Sequence, residues 1–176
     1  MAERLRAAFR ELHGPRLHGF ALLVTLGDQS EAARLAADAL AAGADHTAEL
    51  SHPERAAAWL RRRVVREARH RTRGRAPLPG RRRAALDELN VNAAAFAALG
   101  ALDIRQRAAL VAIGVERLDR RDVATIVGLD GARLEQLVSR ARRRVARSGA
   151  AIVQDVHADD GPIAARIRGI VERVIP

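Results

Sequence analysis

The sequence predicts an all-α fold: two small helical domains joined by a basic Pro/Gly linker, the second built on a helix-turn-helix, with one more helix at the C-terminal end. Three observations lead there. Hydrophobic residues make up 48% of the 176-residue chain but aromatics only 2%, so a core must be assembled from Ala, Leu, Val and Ile, which suits closely packed helices better than sheets. Apolar residues recur at steps of three and four along most of the chain. At the head of several such runs an Asp or Ser stands three residues before an acidic or amide side chain, the signal of a helix start.

Taken in order, the first predicted helix covers 2–12, with Leu5, Ala8, Phe9 and Leu12 on one face; Gly14 and Pro15 end it and open the next. That second helix, 15–26, is apolar on nearly every side, through Leu17, Phe20, Ala21, Leu22, Leu23, Val24 and Leu26, and reads as the buried centre. Gly27 stops it. Asp28 and Glu31 cap a third helix that buries Leu35, Ala36, Ala39 and Leu40 and is closed by Gly43. Ser51 and Glu54, with Pro53 in the first turn, open a fourth. Its buried line is Ala57, Leu60, Val64 and Ala68, while Arg55, Arg62, Arg66, Arg69 and Arg73 line up on another face at helical spacing. This basic line suits a nucleic-acid backbone; an anionic bilayer surface and plain solvation are the other readings.

Gly, Pro and Arg concentrate in 73–83, and no packed element can be read through that stretch. The chain therefore divides into a first helical domain over 1–73, a linker over 74–83, a helix-turn-helix domain over 84–149 and an extension over 150–176. The second domain opens with one or two short helices over 84–99 that carry Leu86, Leu89, Phe96 and Leu99. Asp103 and Gln106 cap a helix burying Ala108, Val111, Ala112 and Val115. In the extension a helix from about 162 places Ile163, Ile167, Ile170, Val171 and Val174 on one side, a face that requires a covering surface: one of the two domains, a second copy or a regulator.

Function is most legible in 118–147. Asp119, with Asp122 three residues on, caps a short helix carrying Val123, Ala124, Ile126 and Val127, and Gly128 suits the left-handed residue that ends it. Asp130 then caps a helix whose Leu134, Leu137, Val138, Ala141 and Val145 form one apolar stripe. Its other faces carry Arg133, Gln136, Ser139, Arg140, Arg142, Arg143, Arg144 and Arg147, forked donors matched to phosphates and to guanine edges in a major groove. Two short helices around a glycine turn also occur in proteins that never meet DNA. Glu135 is the residue that fits DNA worst, since a carboxylate there would face phosphates.

The formal charge of +10 points to an acidic partner, nucleic acid first. Absence of Cys excludes disulfides, thiolate catalysis and Cys-ligated zinc. Catalysis finds no constellation: His13, His18, His46, His52, His70 and His157 are scattered without an HExxH pair, Asp159 and Asp160 sit where a helix cap is expected, and Gly128 and Gly131 lack the Lys and Ser/Thr of a phosphate loop. No apolar run is long enough to span a bilayer, and the amphipathic start has no signal-peptide core. The expectation is a cytoplasmic, non-enzymatic protein with no cofactor, no metal and no membrane association.

The order of parts resembles the extracytoplasmic-function group of sigma factors, over roughly residues 9–147. LDIRQRAALVAIGVERLDRRDVATIVGL is similar to the family's approach to its helix-turn-helix, and SRARRRV to the basic end of its recognition helix. In the first domain, LHGPRLHGFALLVTLGDQSEA is similar to the family's opening helices and Gly-Asp turn, and AAAWLRRR to the Trp-Leu start of its melting helix. Two stretches depart from the family pattern. Ala33, Arg34, Leu35 and Ala37 stand where members carry an Ala-Glu-Asp-Leu run and then Gln, and the recognition helix opens Arg133, Leu134, Glu135, Gln136, Leu137 instead of Thr-Val-Lys-Ser-Arg.

The resemblance implies a promoter-specificity subunit of RNA polymerase. Its first domain would dock on core RNA polymerase and meet the −10 element through Arg62, Arg66, Arg69 and Arg73. Its second would read the −35 element of promoter DNA through Arg133, Gln136, Ser139, Arg140, Arg143 and Arg144, and an anti-sigma factor or other regulator is a further partner. Two alternatives stand beside it: a sigma-derived DNA-binding regulator that neither docks on core polymerase nor melts promoters, and a protein-interaction module that keeps only the fold.

Overall fold

The computed structural model describes residues 2–46, 52–71, 91 and 93–147, and every regular element among them is an α-helix. Seven helices lie among the described residues, in order: α1 (Ala2–Val24), α2 (Gln29–Asp45), α3 (Pro53–Arg71), α4 (Ala93–Gly100), α5 (Ile104–Gly114), α6 (Arg120–Val127) and α7 (Gly131–Arg147). None of the described helices is long and apolar enough to cross a membrane. The linker expected over 74–83, the cap at Ser51, the residues Leu86 and Leu89, Arg73 and the C-terminal helix all lie outside the described residues.

α1 corrects the first expectation, because one continuous helix with Pro15 inside it replaces the two helices expected on either side of Gly14. A proline within a helix removes one hydrogen bond and crowds the carbonyl four residues back, at a cost of about 3 kcal/mol. Two circumstances offset this. Pro15 and Glu11 lie on the exposed side, where water can reach the disturbed turn, and the buried line Phe9, His13, Leu17, Phe20, Val24 runs through the proline without a break in register. Each large apolar side chain on that line contributes roughly 1.5–3 kcal/mol of burial.

The turn after α1 takes two left-handed residues, Leu26 and Gly27, with φ of 57° and 76°. Leu26 and Gly27 donate their N–H groups to the carbonyls of Leu23 and Leu22, which closes the helix end. Asp28 accepts from the Glu31 N–H and starts α2, as expected. Gly43 does not close α2. It lies inside the helix and is buried, and a Cβ there would stand 2.9 Å from Leu60 Cδ2 and 3.0 Å from Phe9 Cε1, so the glycine is what lets α2 settle onto α1 and α3.

α3 packs on α1, α2, α5 and α6 and is correspondingly buried on several sides, through Ala56, Ala58, Leu60, Arg61, Val64, Val65 and Ala68. Ala57, expected in its buried line, is only half-buried, as is Val115 at the end of α5. The helices before and after the expected linker share one apolar cluster, running from Phe9 and Leu17 through Leu60 and Val64 to Ile126 and Leu134. A smaller cluster of Ala98, Leu102, Ala141 and Val145 seats α4 on α7.

Two buried arginines fasten this shared core. Arg107 of α5 donates to the carbonyls of Leu99 and Leu102, at 2.9 Å each, and to that of Val24, so one guanidinium serves carbonyls at the C-terminal ends of both α1 and α4, where helix dipoles favour a cation. Arg61 of α3 forms a forked ion pair with Glu116, with Nε 2.6 Å from Oε2, and donates to the Ala57 carbonyl, while its guanidinium carbon lies 5.6 Å from the centre of the Phe20 ring. Both arginines occupy positions in an apolar register, Arg61 three residues before Val64 and Arg107 four before Val111.

Candidate nucleic-acid interface

The helix-turn-helix is assembled by short-range rules. Asp119 accepts from the Asp122 N–H at 2.8 Å and caps α6, whose Val123, Ile126 and Val127 are buried. Gly128 is left-handed, with φ 66° and ψ 48°, and the paired bonds from its own N–H to Thr125 and from Leu129 to Ala124 close the helix. Asp130 then accepts from the Arg133 N–H at 2.8 Å and opens α7. The buried side of α7 is the expected stripe, Leu134, Leu137, Val138, Ala141 and Val145.

Every side chain expected at a groove, Arg133, Gln136, Ser139, Arg140, Arg143 and Arg144, is exposed. At about 100° per residue they span an arc of roughly 140° facing away from the stripe. Little of their charge is neutralised by the chain itself. Arg133 lies 3.4 Å from Asp130, with both side chains exposed; Arg143 donates to Ser139 Oγ at 2.7 Å and Arg144 to Gln106 Oε1 at 3.0 Å, both uncharged acceptors. Among the described residues Gln136 and Arg140 have no side-chain partner, which leaves their forks available for base edges. Glu135 points off the flank of this arc and pairs with Arg120 of α6 at 3.3 Å, so its carboxylate is partly neutralised.

On α3, Arg55, Arg62, Arg66 and Arg69 are exposed along a strip about 60° wide, and Arg66 leans toward Glu67 at 3.4 Å. Beside this strip Arg63 stacks over half-buried Trp59, its guanidinium carbon 5.9 Å from the ring centre, and His46 at the end of α2 lies 5.9 Å from the same ring. On α2, Arg34 is bound by Glu31 at 2.6 Å and by Asp38 at 2.8 Å. The hydrogen bond to Glu31 is the main cause that raises its pKa, with Asp38 and Glu67 adding to it and burial opposing. The patch made by Glu31, Arg34 and Asp38 therefore carries a net negative charge, with one guanidinium between two carboxylates.

Sequence reasoning missed Arg105 on the first turn of α5. It is half-buried, and burial foremost, then neighbouring Arg69, lower its pKa, against an opposing pull from Asp103. The influence of Arg69 on it follows from the packing of α3 on α5, which no local pattern encodes. Among the described residues no three His, Cys, Asp or Glu side chains converge as a metal site requires. Comparison with protein-family models, with curated proteins and with solved structures finds no match to this chain.

Proposed function

We propose that this chain is a sigma-type transcription factor that binds promoter DNA by laying α7 in the major groove. The observation that carries the reading is the division of α7 into a fully buried aliphatic side and an exposed side bearing Arg133, Gln136, Ser139, Arg140, Arg143 and Arg144 with little internal neutralisation. Arginine and glutamine forks match guanine and adenine edges, and the remaining arginines match phosphates. In the sigma reading the chain is a specificity subunit for core RNA polymerase, with an anti-sigma factor or other regulator as a further partner, and it supplies no catalytic step of its own.

The shared core favours a second reading. Elements at −10 and −35 lie about 25 base pairs apart, roughly 85 Å along the axis at 3.4 Å per pair. A compact body of this size is about 40 Å across, so α3 and α7 cannot reach both elements while α3 stays packed on α6. Full sigma activity therefore requires that packing to open on the polymerase, whereas a sigma-derived regulator reading one site requires no opening.

Two measurements test these readings. Binding to duplex DNA should fall steeply with salt, and Arg140→Ala should weaken binding to the preferred site by about 1–3 kcal/mol. A flat salt response with no effect of Arg140→Ala removes DNA binding altogether. Co-purification with core polymerase and run-off transcription then separate a sigma factor, which yields a defined transcript, from a regulator, which does not.

A further inference from the structure

We infer that Arg69, Arg105 and Arg144 grip one continuous phosphate backbone of duplex DNA, joining the basic line of α3 to the basic face of α7 across the first turn of α5. The inference rests on the DNA-binding reading of α7 and extends it from one helix to a track over three. Arg105 is its centre. The Arg105 Nε is buried and makes no hydrogen bond, a state shared with Arg63, which stacks on Trp59, and with Arg142, and among the described residues neither Arg105 nor Arg69 forms a salt bridge. Asp103, the nearest carboxylate on the same turn, accepts the Gln106 N–H as the α5 cap.

The same chain shows what a guanidinium kept for structure looks like. Arg61 is paired with Glu116, Arg34 with Glu31 and Asp38, and Arg107 is filled by backbone carbonyls. Burial and the charge of Arg69 both oppose ionisation of Arg105, and the one carboxylate that favours it, Asp103, is already engaged as the cap of α5. A bridging anion supplies what is absent, and the fork geometry of arginine suits a phosphate.

The neighbours extend the spot into a line. Arg62, Arg66 and Arg69 follow one another over roughly 10 Å of α3 at 1.5 Å per residue. On the other side, Gln106, next to Arg105, holds the Arg144 guanidinium at 3.0 Å while also accepting from the Asp103 N–H, which fixes the end of α7 against α5. An extended row of cations on rigid helices fits a polymeric backbone better than a single small anion.

The test uses the full chain and a duplex of random sequence, with affinity measured from low to high salt and thermal melting measured beside it. Arg4→Gln, an exposed arginine near the start of α1, controls for net charge. Arg105→Gln should leave the melting temperature unchanged or raise it. It should also lower affinity about fivefold to tenfold near 0.1 M salt and reduce the log–log salt slope by about 1, while Arg105→Lys keeps the slope. Arg69→Gln, on an exposed side chain, should do the same and carries the test if Arg105→Gln fails to fold. Slopes that change no more than for Arg4→Gln, or an Arg105→Gln protein that melts lower with its slope intact, overturn the inference. If Arg140→Ala still weakens site binding in that case, the reading of α7 stands; loss of all DNA binding by the unaltered chain removes both.

Discussion

His13 is a titratable group seated in an apolar line. It is 9% exposed, tilted against Phe9 with ring centres 4.7 Å apart, and burial, followed by the charges of Arg61 and Arg16, lowers its pKa below the ordinary 6.5. The folded chain therefore prefers the neutral ring, and as pH falls the unfolded chain takes up the proton first. Its contribution to stability is fully present above about pH 6.5 and is lost as pH drops through 6.5 toward the lower folded value. We expect the urea midpoint to fall between pH 7.5 and 5.5, and His13→Gln to fall by less over the same interval; equal falls in both proteins would show that His13 does not titrate against the fold. At the same scale, Gly43 and Arg107 show what the sequence hid. Glycine in a helical run reads as a stop and arginine as surface, and only a neighbour at van der Waals distance, or carbonyls brought in from another helix, reveal the opposite.

At the scale of elements, the sequence was most informative where structure is set within four or five residues. The caps at Asp28, Asp103, Asp119 and Asp130 and the left-handed Gly128 are all present, because each depends only on a side chain and the backbone just after or before it. The break expected at Pro15 failed for the complementary reason: a burial pattern running from Phe9 to Val24 outweighed a local penalty. Gly128 permits a clean measurement, since nothing lies within 4 Å of a Cβ built there and any cost is one of backbone conformation alone. Gly128→Ala should destabilise the protein by about 1 kcal/mol, and Gly128→Asn by less, in denaturant titrations. A neutral Gly128→Ala would mean that the turn is not held left-handed in solution. Because that turn sets the angle between α6 and α7, loss of site-specific affinity should exceed the loss expected from unfolding alone.

For the whole molecule, composition and periodicity gave the helical class and the amphipathic sides of each helix, but not which helices share a core. The pairings of α3 with α6 and of α1 with α5 join residues far apart in the chain, and their signals are the charges of Arg61 and Glu116 for the first and Arg107, bonded to the Val24 carbonyl, for the second. That ion pair is nearly buried, with side chains 5% and 11% exposed, so removing one member strands the other. Arg61→Met or Glu116→Leu should each cost about 3–5 kcal/mol, while the double replacement should recover most of the loss. Additive losses would show that the two charges do not depend on each other. The candidate DNA surface divides in the same way: α7 was visible from its own periodicity, whereas the link through Arg105 exists only once α3, α5 and α7 are packed.

The Arg61–Glu116 clasp also bears on how the chain is made. Synthesis delivers α1, α2 and α3 before Glu116 exists, so a cation destined for the interior waits more than fifty residues for its counter-ion, and Val64, Val65 and Ala68 wait for the later helices. A nascent chain halted before α5 should consequently stay protease-sensitive and prone to capture by chaperones, and reach its resistant state in one late step when α5, Glu116 and α6 emerge.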